Sequence, residues 1–370
     1  MTQSPPRPRA CAVTAMLTGA LAAPLPGLGA DAPAPAGGTA SASAAPTDMP
    51  SVIRRIQEST RQRNFTGTFV VSSGSHLSSS RIVHICDGKD QVERIEALDG
   101  QMRRVFRHND AIHVFWPGSK TALIEQRDLI GRFPSPLQPG ESARLDMYEL
   151  QPGGEDRVAG HEAQVVTLRP RDAWRHARRL WIERRTGLLL RSDLLNERGE
   201  IIESAAFSEL QIGGLLAAQP LLQEMNRFDG YRVSRPAYVL SDLASEGWTL
   251  RQPITGFDML RVVRRPGGVG PQGPPAAATL LPAAAGSEPT AAAAPADGAM
   301  LQAIYSDGLS HVSVFIEPFV AGLHRRDAPA TLGSMTAVSR RLGDWWITAV
   351  GAVPTATLQQ FAGNLERRRP

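Results

Sequence analysis

The sequence predicts a mainly β, α+β protein of two folded units: an unclosed antiparallel β-barrel with a helix and loop at its mouth, then a smaller α+β domain. Three observations predict it. From Phe65 onward apolar residues recur with period two in short segments, the pattern of half-buried strands. Turn-forming pairs separate these segments by a few residues, and connections that short force antiparallel neighbours. A run of Pro, Gly, Ala, Ser and Thr from Pro266 to Ala299 interrupts a second, separate series of strand patterns.

At the start of the chain, Arg7 and Arg9 precede the alanine-rich apolar run Ala10 to Leu28, and the small residues Gly29 and Ala30 follow. This reads as an export signal over residues 1–30, cleaved instead of kept as an anchor because Pro24 and Pro26 interrupt the run. Cys11 leaves with it, and Pro8, Arg9 and Ala10 give it no lipobox. Residues 31–49 are too poor in large apolar groups to offset the entropy of ordering and form a tether. Asp48 as cap, Pro50 in the first turn and the spacing of Val52, Ile53 and Ile56 then predict a short helix.

Phe65, Phe69 and Val71 share one face of the first strand, and Ile82, His84 and Cys86 share a face of the second. Asp99-Gly100 joins Val92–Leu98 to Met102–His108, a strong hairpin signal because both residues tolerate positive φ. Ala111–Trp116 and Thr121–Glu125 follow the turns Asn109-Asp110 and Pro117-Gly118. Gly131, Pro134, Pro136 and Pro139 make Gln126 to Gly140 a loop excursion. Strand patterns resume at Glu162–Leu168, Arg179–Glu183, Leu188–Leu194 and Ile201–Leu210. A twisted sheet of about nine strands must curl or be covered, which gives the incomplete barrel.

Residues 213–230 link this unit, residues 50–212, to a second at 231–369. There Tyr231–Val239 and Trp248–Val263 show fresh strand patterning. After the disordered insertion at 266–300, strands return at Gln302–Tyr305, His311–Ile316 and Trp345–Val350, with Asp307-Gly308 as a hairpin turn. Leu358, Phe361 and Leu365 lie on one helical face of Thr355–Arg369, and Arg367, Arg368 and Arg369 suit the negative end of its dipole.

Composition and motifs narrow the function. Lys plus Arg number 40 against 36 Asp plus Glu, a formal charge of +4 that is too mild for nucleic-acid binding. Two cysteines exclude a disulfide scaffold and a thiolate metal site, and leave Cys86 as a lone, small hydrophobe. His161-Glu162 does not continue into a zinc-protease helix, nucleophile-elbow and phosphate-loop motifs are absent from the sequence, and there is no dinucleotide glycine motif after a strand. No cofactor, no metal and no enzymatic reaction are therefore expected, and no later stretch reads as a membrane span.

The remaining candidates are binding groups. Asp90, Glu93 and Glu96 alternate with apolar residues and read as a solvated face instead of paired catalytic carboxylates. His84 and His113 read as structural histidines more readily than as pH sensors. Arg171, Arg175, Arg178, Arg179, Arg184 and Arg185 form the densest basic stretch, interrupted by Asp172 and Glu183. It is either an arginine-rich rim or a patch that meets an acidic peptide or anionic headgroup through forked hydrogen bonds. Phe65, Phe69, Val71, Ile82, Val114 and Trp116 supply large apolar groups to a curved sheet, able to hold an acyl chain or to pack only against the loop and opening helix.

Particular runs of residues resemble a family. Asn64-Phe65-Thr66-Gly67-Thr68-Phe69-Val70, Glu93-Arg94 with Leu98-Asp99-Gly100, and Asp156-Arg157-Val158-Ala159-Gly160 are similar to successive motifs of the RseB/MucB family of periplasmic sigma-E regulators. Leu168-Arg169-Pro170-Arg171-Asp172, the strand Arg179-Leu180-Trp181-Ile182-Glu183 and Thr186-Gly187-Leu188-Leu189-Leu190-Arg191-Ser192-Asp193 are the most specific stretch. Tyr305-Ser306-Asp307-Gly308-Leu309-Ser310, Val314-Phe315-Ile316-Glu317 and Gly351-Ala352-Val353-Pro354 extend the likeness into the second unit. His176-Ala177 stand where the family usually has an aromatic and a glycine, Ala352 stands where it has an acidic residue, and the insertion from Pro266 is unusual.

The resemblance implies a first domain like the lipoprotein carriers LolA and LolB, an unclosed barrel able to hold an acyl chain. It implies a periplasmic protein that binds the periplasmic region of an RseA/MucA-type anti-sigma factor and shields it from regulated proteolysis. Lipids, lipoproteins, lipopolysaccharide or other mislocalised envelope material would release it. A lipoprotein or lipid carrier on the same barrel is the other function the sequence allows, and a homo-oligomer stays open. The second domain favours regulation, since a simple carrier does not need it.

Overall fold

Asp48 starts the first helix as the sequence requires: its carboxylate accepts the Ser51 N–H at 2.8 Å, and helix α1 runs over Met49–Gln62. The structure is a computed structural model and describes residues 48–86, 90–126, 133–134, 144–235, 238–265, 300–322, 324 and 329–368. The expected export signal, nearly all of the tether, the insertion from Pro266 to Ala299 and most of the Gln126–Gly140 loop lie outside these residues. The described residues fall in one compact unit, 46–370.

The first lobe is built from β1 (Phe65–Ser73), β2 (His76–Cys86), β3 (Gln91–Ala97), β4 (Arg104–His108), β5 (Ala111–Trp116) and β6 (Thr121–Gln126), then β7 (Tyr148–Val158), β8 (His161–Pro170), β9 (Ala177–Glu183), β10 (Leu189–Leu195) and β11 (Ile201–Ile212). Helix α2 (Ala218–Met225) and β12 (Arg232–Ser234) follow. They form one twelve-stranded sheet in the order β12-β6-β5-β4-β3-β2-β1-β11-β10-β9-β8-β7, open between β12 and β7. All its pairings are antiparallel except that of β12 with β6.

Strand β1 sits at the centre, with Phe65 opposite His84 of β2 and Phe69 opposite Phe207 of β11. Gly67 permits this: a Cβ there would lie 2.5 Å from the Glu209 carbonyl oxygen and 3.1 Å from the Phe207 ring. Helix α1 lays Val52, Ile53 and Ile56 against Val166, Leu168, Leu180, Ile182 and Leu189. Met225, Phe228, Tyr231 and Val233 cover Phe106, Phe115 and Ala122 from the other side of β4–β6.

The second lobe comprises β13 (Val239–Ser241), β14 (Trp248–Leu250), β15 (Asp258–Arg265), β16 (Met300–Ser306), β17 (His311–Pro318), β18 (Ala330–Leu332), β19 (Met335–Leu342), β20 (Trp345–Gly351), helix α3 (Thr355–Asn364) and β21 (Leu365–Arg367). Seven strands pair in the order β13-β15-β16-β17-β20-β19-β18, and β14 pairs with β21. Leu358, Phe361 and Ala362 of α3 join Val312, Val314, Ile347 and Ala349 in one core.

Several elements differ from the sequence reading, which gives no strand where β18 and β19 lie. β7 escapes the period-two test because Pro152, Gly153 and Gly154 interrupt it; it is an edge strand with a bulge between Pro152 and Gly154, where proline costs no ladder bond. β12 leaves the second unit's pattern and joins the first sheet. Leu215 to Phe228, read only as a connection, contains α2. The last helix stops at Asn364, five residues short of the expected end: Leu365 reaches the core from an extended segment paired with Leu250, and Arg367 stacks on Trp345 at 4.4 Å instead of meeting a helix dipole.

Candidate functional site

Among the described residues, one end of the large sheet carries the second lobe at two points. The 3-10 turn Leu145–Met147 delivers Tyr148 to the start of β7. Between β8 and β9, the Asp172 carboxylate accepts the Trp174 N–H at 3.0 Å and the Arg175 Nε–H at 3.0 Å, which fixes Arg175 toward the interior. Opposite them the β16–β17 turn presents Asp307, whose Oδ1 accepts the Leu309 N–H at 2.9 Å and the Ser310 N–H at 2.6 Å. Gly308 holds φ +88° in that turn.

Asp307 is thereby aimed out of its own lobe. Its Oδ2 accepts the Tyr148 hydroxyl and Arg175 Nη1, each at 2.7 Å. Arg175 Nη2 donates to the Thr255 carbonyl at 2.7 Å and lies 3.0 Å from Asp172 Oδ2. The Arg175 and Asp307 side chains are both 0% exposed. The guanidinium also lies 4.8 Å from the Phe257 ring centre. Burial, followed by the Asp307 charge, raises the Tyr148 hydroxyl above its ordinary pKa, so it stays a donor. Burial works against the Arg175 charge, but Asp307, Tyr148 and Asp172 outweigh it and hold the group protonated.

Apolar and backbone contacts extend this clasp. Leu309 packs in the cluster under α1, and its carbonyl accepts Arg178 Nη2 at 3.0 Å. The Asp307 carbonyl accepts the Arg144 N–H at 2.8 Å, and the Thr357 hydroxyl donates to the Trp174 carbonyl at 2.8 Å. The second point lies where β1 and β11 meet: the Ser334 N–H of the β18–β19 turn donates to Ser73 Oγ at 2.7 Å, and the Ser334 hydroxyl donates to Glu203.

The expected apolar lining divides into two clusters. Phe65, Phe69 and Ile82, flanked by Val71, gather with Trp181, Phe207 and Leu210. Val114, flanked by Trp116, belongs with Val105, Ile112 and Leu123, and Ile95 touches both groups. Phe133 from the loop stands 5.5 Å from Phe69 and 5.1 Å from Phe207, ring centre to ring centre, so protein side chains occupy the space beside Phe69. Periodicity did not point to Phe133 or Phe207 as part of this lining.

The arginine stretch is not one surface. Arg175 is a correction: it is wholly buried in the clasp and cannot meet an external partner. Arg178 and Arg179 alternate to opposite faces of β9, Arg178 toward Leu309. Arg184 pairs with Glu155 at 3.1 Å and stays exposed along with Arg171 and Arg185. Glu93 is a second correction, because it is buried instead of solvated: it accepts Arg107 Nη1 at 2.9 Å and lies 3.3 Å from His84 Nδ1. His84 Nε2 donates to the Thr60 carbonyl at 2.8 Å, tying β2 to the end of α1, and His113 Nδ1 meets the Met225 carbonyl at 2.8 Å. Among the described residues no group of three or more His, Cys, Asp or Glu could hold a metal ion, and no helix is long and apolar enough to cross a membrane.

An open β-sheet clasped at one end to a second lobe, with apolar clusters and fixed charges as its equipment, defines a two-lobed binding protein. Sequence comparison carries the assignment further. Residues 48–225 match the MucB/RseB N-terminal domain and residues 242–366 the MucB/RseB C-terminal domain. The chain belongs to the MucB/RseB family. It is 31% identical over 321 residues to the sigma factor AlgU regulatory protein MucB of Pseudomonas aeruginosa, covering 85% of this chain and 90% of that protein. It is 21% identical over 341 residues to the sigma-E factor regulatory protein RseB of Haemophilus influenzae, covering 88% and 94%. The crystal structure of MucB in complex with MucA(peri) superposes with a TM-score of 0.62 at 28% identity, over 87% of this chain and all of that one.

Proposed function

We propose that this protein is a periplasmic negative regulator of a sigma-E-type envelope stress response. It binds the periplasmic region of a membrane anti-sigma factor, shields it from regulated proteolysis, and lets go when lipid or mislocalised envelope material reaches it. The observation that carries this reading is the match of both lobes, along nearly the whole described chain, to a regulator solved with MucA(peri). The work is binding without turnover, as the regulatory names of its relatives support.

In this reading Phe65, Phe69, Val71, Ile82, Val114 and Trp116 line the site for an acyl chain, and Phe133 moves aside to admit it. Burying each methylene contributes about 0.8 kcal/mol, so half a fatty acid biases a competing interface by several kcal/mol. Exposed Arg171, Arg184 and Arg185 serve an acidic partner segment. A carrier of lipoproteins or lipids would leave the clasped second lobe without a task. Affinity capture from envelope extracts tests the reading: recovery of a single-span anti-sigma factor supports regulation, and recovery of lipoproteins alone supports transport.

A further inference from the structure

The two points at which the second lobe meets the large sheet are built from different chemistry. At the Asp307 clasp a carboxylate and a guanidinium, both buried, bond to each other, to Tyr148, to Asp172 and to backbone, and Leu309 adds apolar packing under α1. Opening it would strand two buried charges. At the other point, the donors to Glu203 are the neutral hydroxyls of Ser73 and Ser334, and the Ser334 N–H meets Ser73 Oγ. The arm behind that contact is the three-residue edge strand β18, exposed along its whole length, with Leu332 at 40% exposure. Gly74 and Gly333, at φ +60° and +62°, face each other there, so the two turns meet closely without large side chains between them.

We propose that the clasp is a pivot and the Ser334–Ser73–Glu203 contact a releasable latch, so that the second lobe swings about Asp307 and uncovers the β1–β11 end of the sheet. That end leads directly to Phe69, Val71 and Phe207, which makes the latch the step that links the apolar interior to release of a bound partner. The link to a partner rests on the regulatory reading above; the order of opening does not.

Hydrogen exchange followed by NMR on the full chain tests the order. The Ser334 amide should exchange at least ~10-fold faster than the Ser310 amide bound by Asp307, and Glu203→Ala should speed the first while leaving the second unchanged. Equal exchange of the two amides, or an equal response to Glu203→Ala, overturns the proposal. The second arm uses Ser73→Cys with Ser334→Cys in a Cys11→Ser, Cys86→Ser background, and a fluorescent periplasmic fragment of the anti-sigma factor as probe. Oxidation should slow dissociation of the bound fragment at least ~10-fold, and reduction should restore it. Dissociation indifferent to the cross-link overturns the coupling, whereas failure of the unmodified protein to bind the fragment overturns the regulatory reading and leaves the exchange result to decide the latch.

Discussion

The Arg175 guanidinium and the Asp307 carboxylate meet at 2.7 Å across 132 residues of chain, with neither side chain exposed to solvent. Asp307 is shaped by its own turn and Arg175 by Asp172, so each lobe prepares its half of the pair before they join. Such a pair adds little over an apolar contact of the same shape, but it is costly to break by halves. Asp307→Ala should therefore lower unfolding stability by about 3–5 kcal/mol. Tyr148→Phe, which removes one of the two donors to Oδ2, should cost about 1 kcal/mol. Urea titrations of the single and double variants check both values, and additive losses would contradict a shared network.

Burial, with the Arg178 charge beside it, holds His176 down at about 4 from an ordinary value of 6.5. The unfolded chain takes up the proton that the folded state refuses. Stability is thus unaffected above about pH 6.5, declines as pH falls toward 4, and levels off below that. His176→Asn should remove about 3 kcal/mol of the stability loss between those limits. Unfolding midpoints measured across that range check the slope; an unchanged slope would place the acid sensitivity elsewhere.

Phe133 and Phe207 flank the same ring, Phe69, but stand on different footings. Phe207 belongs to the central strand pair, and Phe207→Ala should cost about 3–5 kcal/mol. Phe133 comes from a loop and is half-buried, so Phe133→Ala should cost about 1–2 kcal/mol and increase uptake of a fluorescent fatty acid several-fold. Unaltered uptake in Phe133→Ala would remove the acyl-site role of Phe69 and its neighbours.

Much of this was legible in the sequence, and the failures have physical causes. Asp99-Gly100 and Asn109-Asp110 fixed hairpins because short turns leave the chain no other course. Asp48 fixed the start of α1 through its own cap. β7 was lost because edge strands tolerate the proline and glycines that a periodicity test treats as breaks. In the sequence Arg175 is indistinguishable from its basic neighbours, because spacing along a chain does not reveal a partner 132 residues away. Asp307-Gly308 shows in the sequence only as a turn; its second role depends on the other lobe. Glu93 misled for the same reason, since His84 and Arg107 on adjacent strands are what make its burial tolerable.

The exposed arginines separate stability from recognition. Arg171→Glu combined with Arg185→Glu should leave unfolding stability within about 0.5 kcal/mol, since both side chains reach into solvent. If they serve an acidic partner segment, the double reversal should weaken partner binding at low salt, and the difference should fade as salt screens the charges. Equal affinity at low salt would assign these residues to an ordinary arginine-rich rim.

Titration of the full chain with the purified periplasmic region of its organism's membrane anti-sigma factor, followed by calorimetry, addresses the central claim most directly. The account predicts saturable binding with a Kd of about 1 μM or tighter. Absence of heat or saturation up to about 100 μM of that fragment would contradict it.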